Sequence, residues 1–168
     1  MDTKTRVMVD LETLGNKPGA VIVSIGAVKF GAGAMEEFYR RIDARSCVQV
    51  GLTMDVETVL WWLKQSSEAR SELTQNGDPL EVVLGEFSQW VADPVELWGN
   101  GAAFDNAILA AAYDQVGLSR PWKFWNDRCY RTIKALHPEI PIRRSGCHHN
   151  ALDDARSQAE HLLAIENL

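Results

Sequence analysis

The chain has 168 residues, is 46% hydrophobic and carries a formal net charge of −6. That length can bury one full core and is short for two ordinary domains, so a single domain over residues 1–168 is expected. The acidic balance excludes a protein that grips polyanions with its whole surface.

Val7 to Leu11, VMVDL, form an apolar run that Asp10 interrupts where a central strand would end. After a turn at LGNKPG, AVIVSIGAVKF reads as a second, buried strand. GAGA is a tight turn, and Glu36 to Asp43 alternate as a half-exposed third strand. Short links between the three predict an antiparallel meander. Helical patterns follow. Asp55 to Gln75 read as two short helices, and Asp78 to Asp93 as a helix with an Asp cap and Pro in its first turn. VELWG, Val95 to Gly99, is a short strand, followed by a helix that stops at Gly117. A short strand near Asp127 to Arg131 precedes a last helix from about Asn150 to Ile165. The expected class is α/β, a mixed five-stranded sheet flanked by helices, with the β1-β2-β3 meander plus two further strands.

Apolar runs such as AVIVSIGAV fall short of the roughly 18 to 20 residues that span a bilayer. The first ten residues lack the layout of an export signal, so a cytoplasmic location is expected. Cys47, Cys129 and Cys147 are odd in number and widely spaced, which suits reduced thiols. From Arg120 to Arg144, seven basic residues face two acidic ones, leaving the rest of the chain at −11. Such a strip is either a track for phosphates or a solvated face.

Three local patterns carry chemistry. Asp10 and Glu12 form a D-x-E whose alternation sends both carboxylates to one side of the sheet, where they could clamp a hard cation or simply be solvated. Asp105 lies in the first turn of a helix after a strand, where an acid also favours the helix dipole. In CHHNALDDARSQAEHLL, Asn150 is a good N-cap and Asp153 takes the acid position of a capping box. Asp154 is left with no structural duty. His149 falls outside the helix and is free to turn toward the carboxylates, since five helical residues rotate by about 140° and would otherwise point it away from Asp154. His148 reads as a loop residue and His161 as a solvated helix position. A zinc site from Cys147, His148 and His149 lacks a second ligand pair at finger spacing.

Together, the D-x-E, the N-x-x-x-F-D of Asn100 to Asp105 and the H-x-x-x-x-D of His149 to Asp154 resemble the three motifs of the DEDDh exonucleases, whose fold is RNase H-like. The match in order and spacing runs from Asp10 to Asp154. The segment TMDVETVLWWLKQ looks more like the subgroup containing RNase AS and the phage exodeoxyribonuclease VIII relatives than like polymerase proofreading domains. The resemblance implies that Asp10, Glu12, Asp105 and Asp154 hold two Mg²⁺ or Mn²⁺ ions and that His149 is the general base. It implies release of nucleoside 5'-monophosphates from the 3' end of RNA or DNA, and a homodimer.

For the substrate, Leu14 is expected to wedge against the terminal base, Trp61 or Trp62 to stack on it, Phe104 to line the site and Arg144 to touch a phosphate. At least one of the adjacent tryptophans is expected to be core. Asp10→Ala and Asp154→Ala are expected to abolish activity and leave the fold intact. Two rival readings share the fold: a metal-dependent endonuclease, and a catalytically silent nucleic-acid-binding module.

Overall fold

A computed structural model of the chain describes residues 5–31, 33–92, 95–146 and 149–167. The meander forms as expected from β1 (Arg6–Thr13), β2 (Ile22–Phe30) and β3 (Glu36–Arg41), each antiparallel to the next. Four helices follow, α1 (Ala44–Gln49), α2 (Val56–Leu63), α3 (Ser67–Thr74) and α4 (Leu80–Val91). The chain then returns as β4 (Glu96–Gly99), parallel to β1 on its free edge. Helix α5 (Asp105–Val116) leads through a 3-10 turn to β5 (Asp127–Cys129), parallel to β4. Helices α6 (Tyr130–Leu136) and α7 (Ala151–Glu166) complete the described chain. The five-stranded sheet has the order β3-β2-β1-β4-β5.

Period-two alternation divides β1 between two apolar layers. Val7, Val9 and Leu11 join Phe87 of α4 and Leu109 of α5 in one cluster, while Met8 faces Ala155, Ala159 and Leu162 of α7 in the other. Asp10 and Glu12 share the parity of Met8, and so lie on the α7 side. β2 is buried along nearly its whole length because both its faces are covered.

Two glycines let helices meet the sheet closely enough to deliver side chains to its edge. A Cβ on Gly26 would stand 2.1 Å from the Ala151 carbonyl carbon, so the start of α7 rests directly on β2 beside Asp10, the partner of Gly26 in the ladder. A Cβ on Gly99 would stand 2.3 Å from Asn106 Oδ1 and 3.0 Å from Asp105 Cβ, which is how the start of α5 reaches the end of β4. Each glycine is required for space, because no side chain fits where backbone or a buried amide already lies.

Three expectations change, and one helix is new. β1 does not end at Asp10: β2 pairs it through Thr13, whereas β4 stops at Val9 opposite Gly99. Asp78 does not cap α4, because its backbone is held by Arg41 and Asp43; the first helical N–H, of Leu80, instead donates to Ser46 Oγ at 2.9 Å. Helix α6 had no clear cap or period in the sequence. His161 is not solvated: it is 4% exposed, with Nδ1 2.7 Å from Tyr130 Oη and Nε2 2.8 Å from the Ile140 carbonyl, because α6 covers that face of α7. Cys147 and His148 lie outside the described residues. Among the described residues, no helix is long and apolar enough to cross a membrane.

Candidate active site

The site opens where β1 outlasts β4. Past Val9, the edge of β1 has no strand beside it, and the space is closed instead by the starts of α5 and α7 and by α2. The result is a cavity of about 250 Å³ whose wall includes Asp10, Glu12, Asp105, His149 and Asp154. Residues drawn from three separated segments therefore share one space.

Each acid is held by a definable contact. Asp105, 2% exposed, accepts the Leu11 N–H on Oδ1 at 3.1 Å, so it is tied to the unpaired edge of β1. Asp10 accepts from Gln158 Nε2 on Oδ1 at 2.8 Å. Asp154 accepts from Arg144 Nη1 on Oδ1 at 2.8 Å and from the His149 N–H on Oδ2 at 3.1 Å, which corrects the expectation that it has no structural duty. Asn150 caps α7 as expected, accepting the N–H groups of Leu152 and Asp153. Asp153 pairs with Arg156 at 2.8 Å, and Asp154 rather than Asp153 lines the cavity.

Crowding these acids in a poorly solvated wall disfavours their charged forms. Asp10 is driven well above the usual carboxylate range by desolvation first, then by the charges of Asp105, Glu12 and Asp154. Glu12 is pushed up to about 8 by desolvation, then by Asp154, Asp105 and Glu72. Asp105 is raised to about 7 by desolvation, against the Leu11 N–H and the more distant Arg131 charge, which lower it. An acid cluster with this behaviour fits a divalent cation, which removes the mutual repulsion. Ligand atoms of Glu12, His149 and Asp154 lie within 4.8 Å of one another, and the oxygen-rich set suits a hard ion.

His149 sits as the sequence implies, outside the helix, with φ of 65°. That left-handed conformation is uncommon for a residue with a Cβ. The ring is fixed by edge-on packing against Trp61, centroids 5.0 Å apart, and Trp62, 6.1 Å apart. The tryptophans divide as expected: Trp62 is 1% exposed and donates from Nε1 to the Thr13 carbonyl at 2.8 Å, while Trp61 is 42% exposed. Trp61, Phe104 and Arg144 all line the cavity. Leu14 does not. It follows Thr13, the last residue of β1, where strand alternation no longer holds, and packs against the Val7 cluster on the opposite layer; the register irregularity at this point skips Val23 of β2.

Residues 5–166 match the family model of the 3'-5' exoribonuclease Rv2179c-like domain. The chain belongs to that family. It is an enzyme of the metal-dependent 3'-5' exonuclease class, with the RNase H-like DEDDh fold. Among solved structures it is similar to the nuclease domain of 3'hExo, a DEDDh family member bound to rAMP, at a TM-score of 0.63 and 11% identity, covering 99% of this chain and 93% of that one. The exodeoxyribonuclease of Enterobacteria phage T4 is 25% identical over 160 residues, 77% of this chain and 70% of its own. DNA polymerase III PolC-type of Listeria innocua is 27% identical over 99 residues, 52% of this chain but only 7% of that much longer protein.

Within this exonuclease, several residues at the site carry no sequence motif. Gln158, four positions after Asp154 on α7, orients Asp10, and its own Oε1 is buried without a partner among the described residues. Arg131 of α6 lines the cavity and donates from Nη2 to the Asn100 carbonyl at 2.8 Å. The spacing of Gln158 from Asp154, one helical turn on the same face, was the one available signal for its place.

Proposed function

We propose that this chain shortens single-stranded RNA from its 3' end, releasing nucleoside 5'-monophosphates. The observation that carries the reading is the convergence of Asp10, Glu12, Asp105, Asp154 and His149 on one cavity wall. Support for RNA comes from the exoribonuclease family to which the chain belongs, whereas the phage T4 relative is an exodeoxyribonuclease.

In this reading Asp10, Glu12, Asp105 and Asp154 hold two Mg²⁺ or Mn²⁺ ions. Ions so held supply charge stabilisation at the attacking and departing oxygens of an in-line phosphoryl displacement. The protein's own groups do the rest. His149, steadied by Trp61 and by its backbone bond to Asp154, takes the proton of the attacking water, a step suited to an imidazole at neutral pH. Trp61 offers its exposed face to the terminal base, Phe104 closes the wall beside Asp105, and Arg144, in the cavity wall next to Asp154, would meet a phosphate oxygen. The chain acts as one domain, and as a homodimer that light scattering on a sizing column would reveal.

The test is a time course of the protein and of Asp10→Ala on 5'-labelled single-stranded RNA and DNA, with Mg²⁺, Mn²⁺ or EDTA. A metal-dependent ladder shrinking from the 3' end of RNA, absent in the variant, is the expected result. A ladder on DNA alone moves the substrate to DNA. Internal cuts point to an endonuclease, and intact strands with measurable binding point to a silent module.

A further inference from the structure

A second cavity, of about 650 Å³, lies against the catalytic one and shares two of its wall residues, Asn100 and Arg131. Its remaining wall is Lys134 and Ala135 of α6 and the segment His137, Pro138, Ile140, Pro141 and Ile142. We propose that this groove holds the part of the polynucleotide strand lying 5' of the scissile phosphate. The proposal rests on the exonuclease reading of the neighbouring cavity and adds the path by which the strand leaves it.

Three observations support it. The first is continuity, since the hydrogen-bonded pair Arg131 and Asn100 forms a wall common to both spaces, and a chain leaving one passes into the other.

The second is charge. Of the seven basic residues in the strip, three are paired among the described residues, Arg128 with Glu96, Arg120 with Asp114 and Arg144 with Asp154, while Lys123 and Arg143 lie outside this groove. Among the described residues neither Arg131 nor Lys134 has an ion pair, and both line this groove. Arg131 also donates to the Asn100 carbonyl and acts through its charge on Asp105, whereas the Lys134 side chain has neither kind of partner among the described residues. Cations without a salt bridge on an acidic protein, beside a site for phosphodiesters, suit backbone phosphates. Another space adjoining the catalytic cavity, through Gly15 and Asn16, balances Lys17 against Asp55 in its wall and offers no such excess.

The third is the shape and firmness of the wall. Ile140 is anchored through its carbonyl to buried His161 at 2.8 Å, and Ile142 packs against the α7 layer, so the apolar side of the groove is built on a fixed segment. Prolines and isoleucines present flat apolar surface to sugars and base faces without hydrogen-bond readout, so the groove holds strand without selecting sequence. Its volume is within the usual range for ligand sites, roughly 300 to 1,000 Å³.

The test measures binding of 5'-fluorescein ribo-oligonucleotides of mixed sequence, from dinucleotide to hexanucleotide. Anisotropy is followed across salt with Ca²⁺ replacing Mg²⁺, and the strand is checked intact on a gel. Affinity is expected to rise with length beyond the dinucleotide. Lys134→Gln is expected to reduce the slope of log affinity against log salt by about 0.7, the single-strand value for one phosphate contact, and Lys134→Arg to retain it. An unchanged slope in a Lys134→Gln protein with a native melting curve overturns the groove, as does equal affinity for every length or no binding at all. If Lys134→Gln does not fold, the length series on the unaltered protein decides. Turnover in Mg²⁺ is scored separately: length-dependent binding with no mononucleotide released overturns the exonuclease reading while leaving the groove in place.

Discussion

Gln158 Nε2 donates to Asp10 Oδ1 at 2.8 Å, reaching from the turn of α7 that follows Asp154 to the strand that starts the acid cluster. One helix thus supplies a carboxylate and also aims another. Gln158→Leu keeps the bulk and removes the donor, and the loss of such supporting bonds typically costs 10- to 100-fold in metal affinity or activity. The expected outcome is a drop of about that size in apparent Mg²⁺ affinity with the melting temperature little changed. A variant with unaltered Mg²⁺ dependence would remove Gln158 from the site's support.

His149 is both the proposed base and a residue at φ of 65°. Asn tolerates that conformation better than most side chains, so His149→Asn removes the imidazole while sparing the turn. Its kcat at neutral pH is expected to fall by about 10² to 10⁴, with the Mg²⁺ dependence retained. A large loss of Mg²⁺ affinity instead would reassign His149 as a ligand, a role its proximity to Glu12 and Asp154 allows.

Asp154→Ala is expected to abolish turnover, and also to destabilise the protein. Arg144 and the His149 N–H both lose their acceptor on an 8% exposed carboxylate. Both donors are only part-buried, the Arg144 side chain at 44% exposure, so water replaces much of what is lost. The cost is that of ordinary hydrogen bonds, about 0.5 to 1.5 kcal/mol, measurable as a lower urea midpoint. The expectation that this substitution spares the fold is therefore revised. A urea midpoint equal to that of the unaltered protein would contradict the revision.

The acid cluster makes the metal-free protein sensitive to alkali. Glu12 and Asp105 rise from ordinary values of 4.5 and 3.8 to about 8 and about 7, so the folded state holds their protons more tightly than the unfolded chain does. Stability falls wherever the folded state binds more protons and pH climbs, here from about pH 4 through about pH 8. In EDTA the melting temperature is expected to drop between pH 5 and pH 8, and Mg²⁺ to restore more of it at the upper end. A flat EDTA profile, or one equally steep in Glu12→Gln, would count against this account.

How far the sequence could be read depended on whether the deciding interaction was local. Asn150 was read as the cap of α7, with His149 outside the helix, because a helix cap is determined within a few residues. The meander followed from short links and period-two alternation. Leu14 was misplaced because strand alternation was carried one residue past Thr13, the end of β1. His161 was misread because its burial is supplied by α6 and Ile140, distant in sequence and weakly patterned. Gln158 was passed over because a glutamine on a helix is ordinary until the strand that it faces is known.

The bond from Leu11 N–H to Asp105 Oδ1 has a consequence for solubility. Beyond Val9, β1 has no neighbour on its β4 side, and an open strand edge invites a strand from another molecule. Asp105 occupies that edge with a carboxylate, so the side chain proposed to hold a cation is also expected to hinder copies of the protein from adding to one another's sheets. Replacing it by Ala should therefore raise concentration-dependent light scattering as well as silence the enzyme; a variant that stays monodisperse to the same concentration as the unaltered protein would show that α5 alone shields the edge.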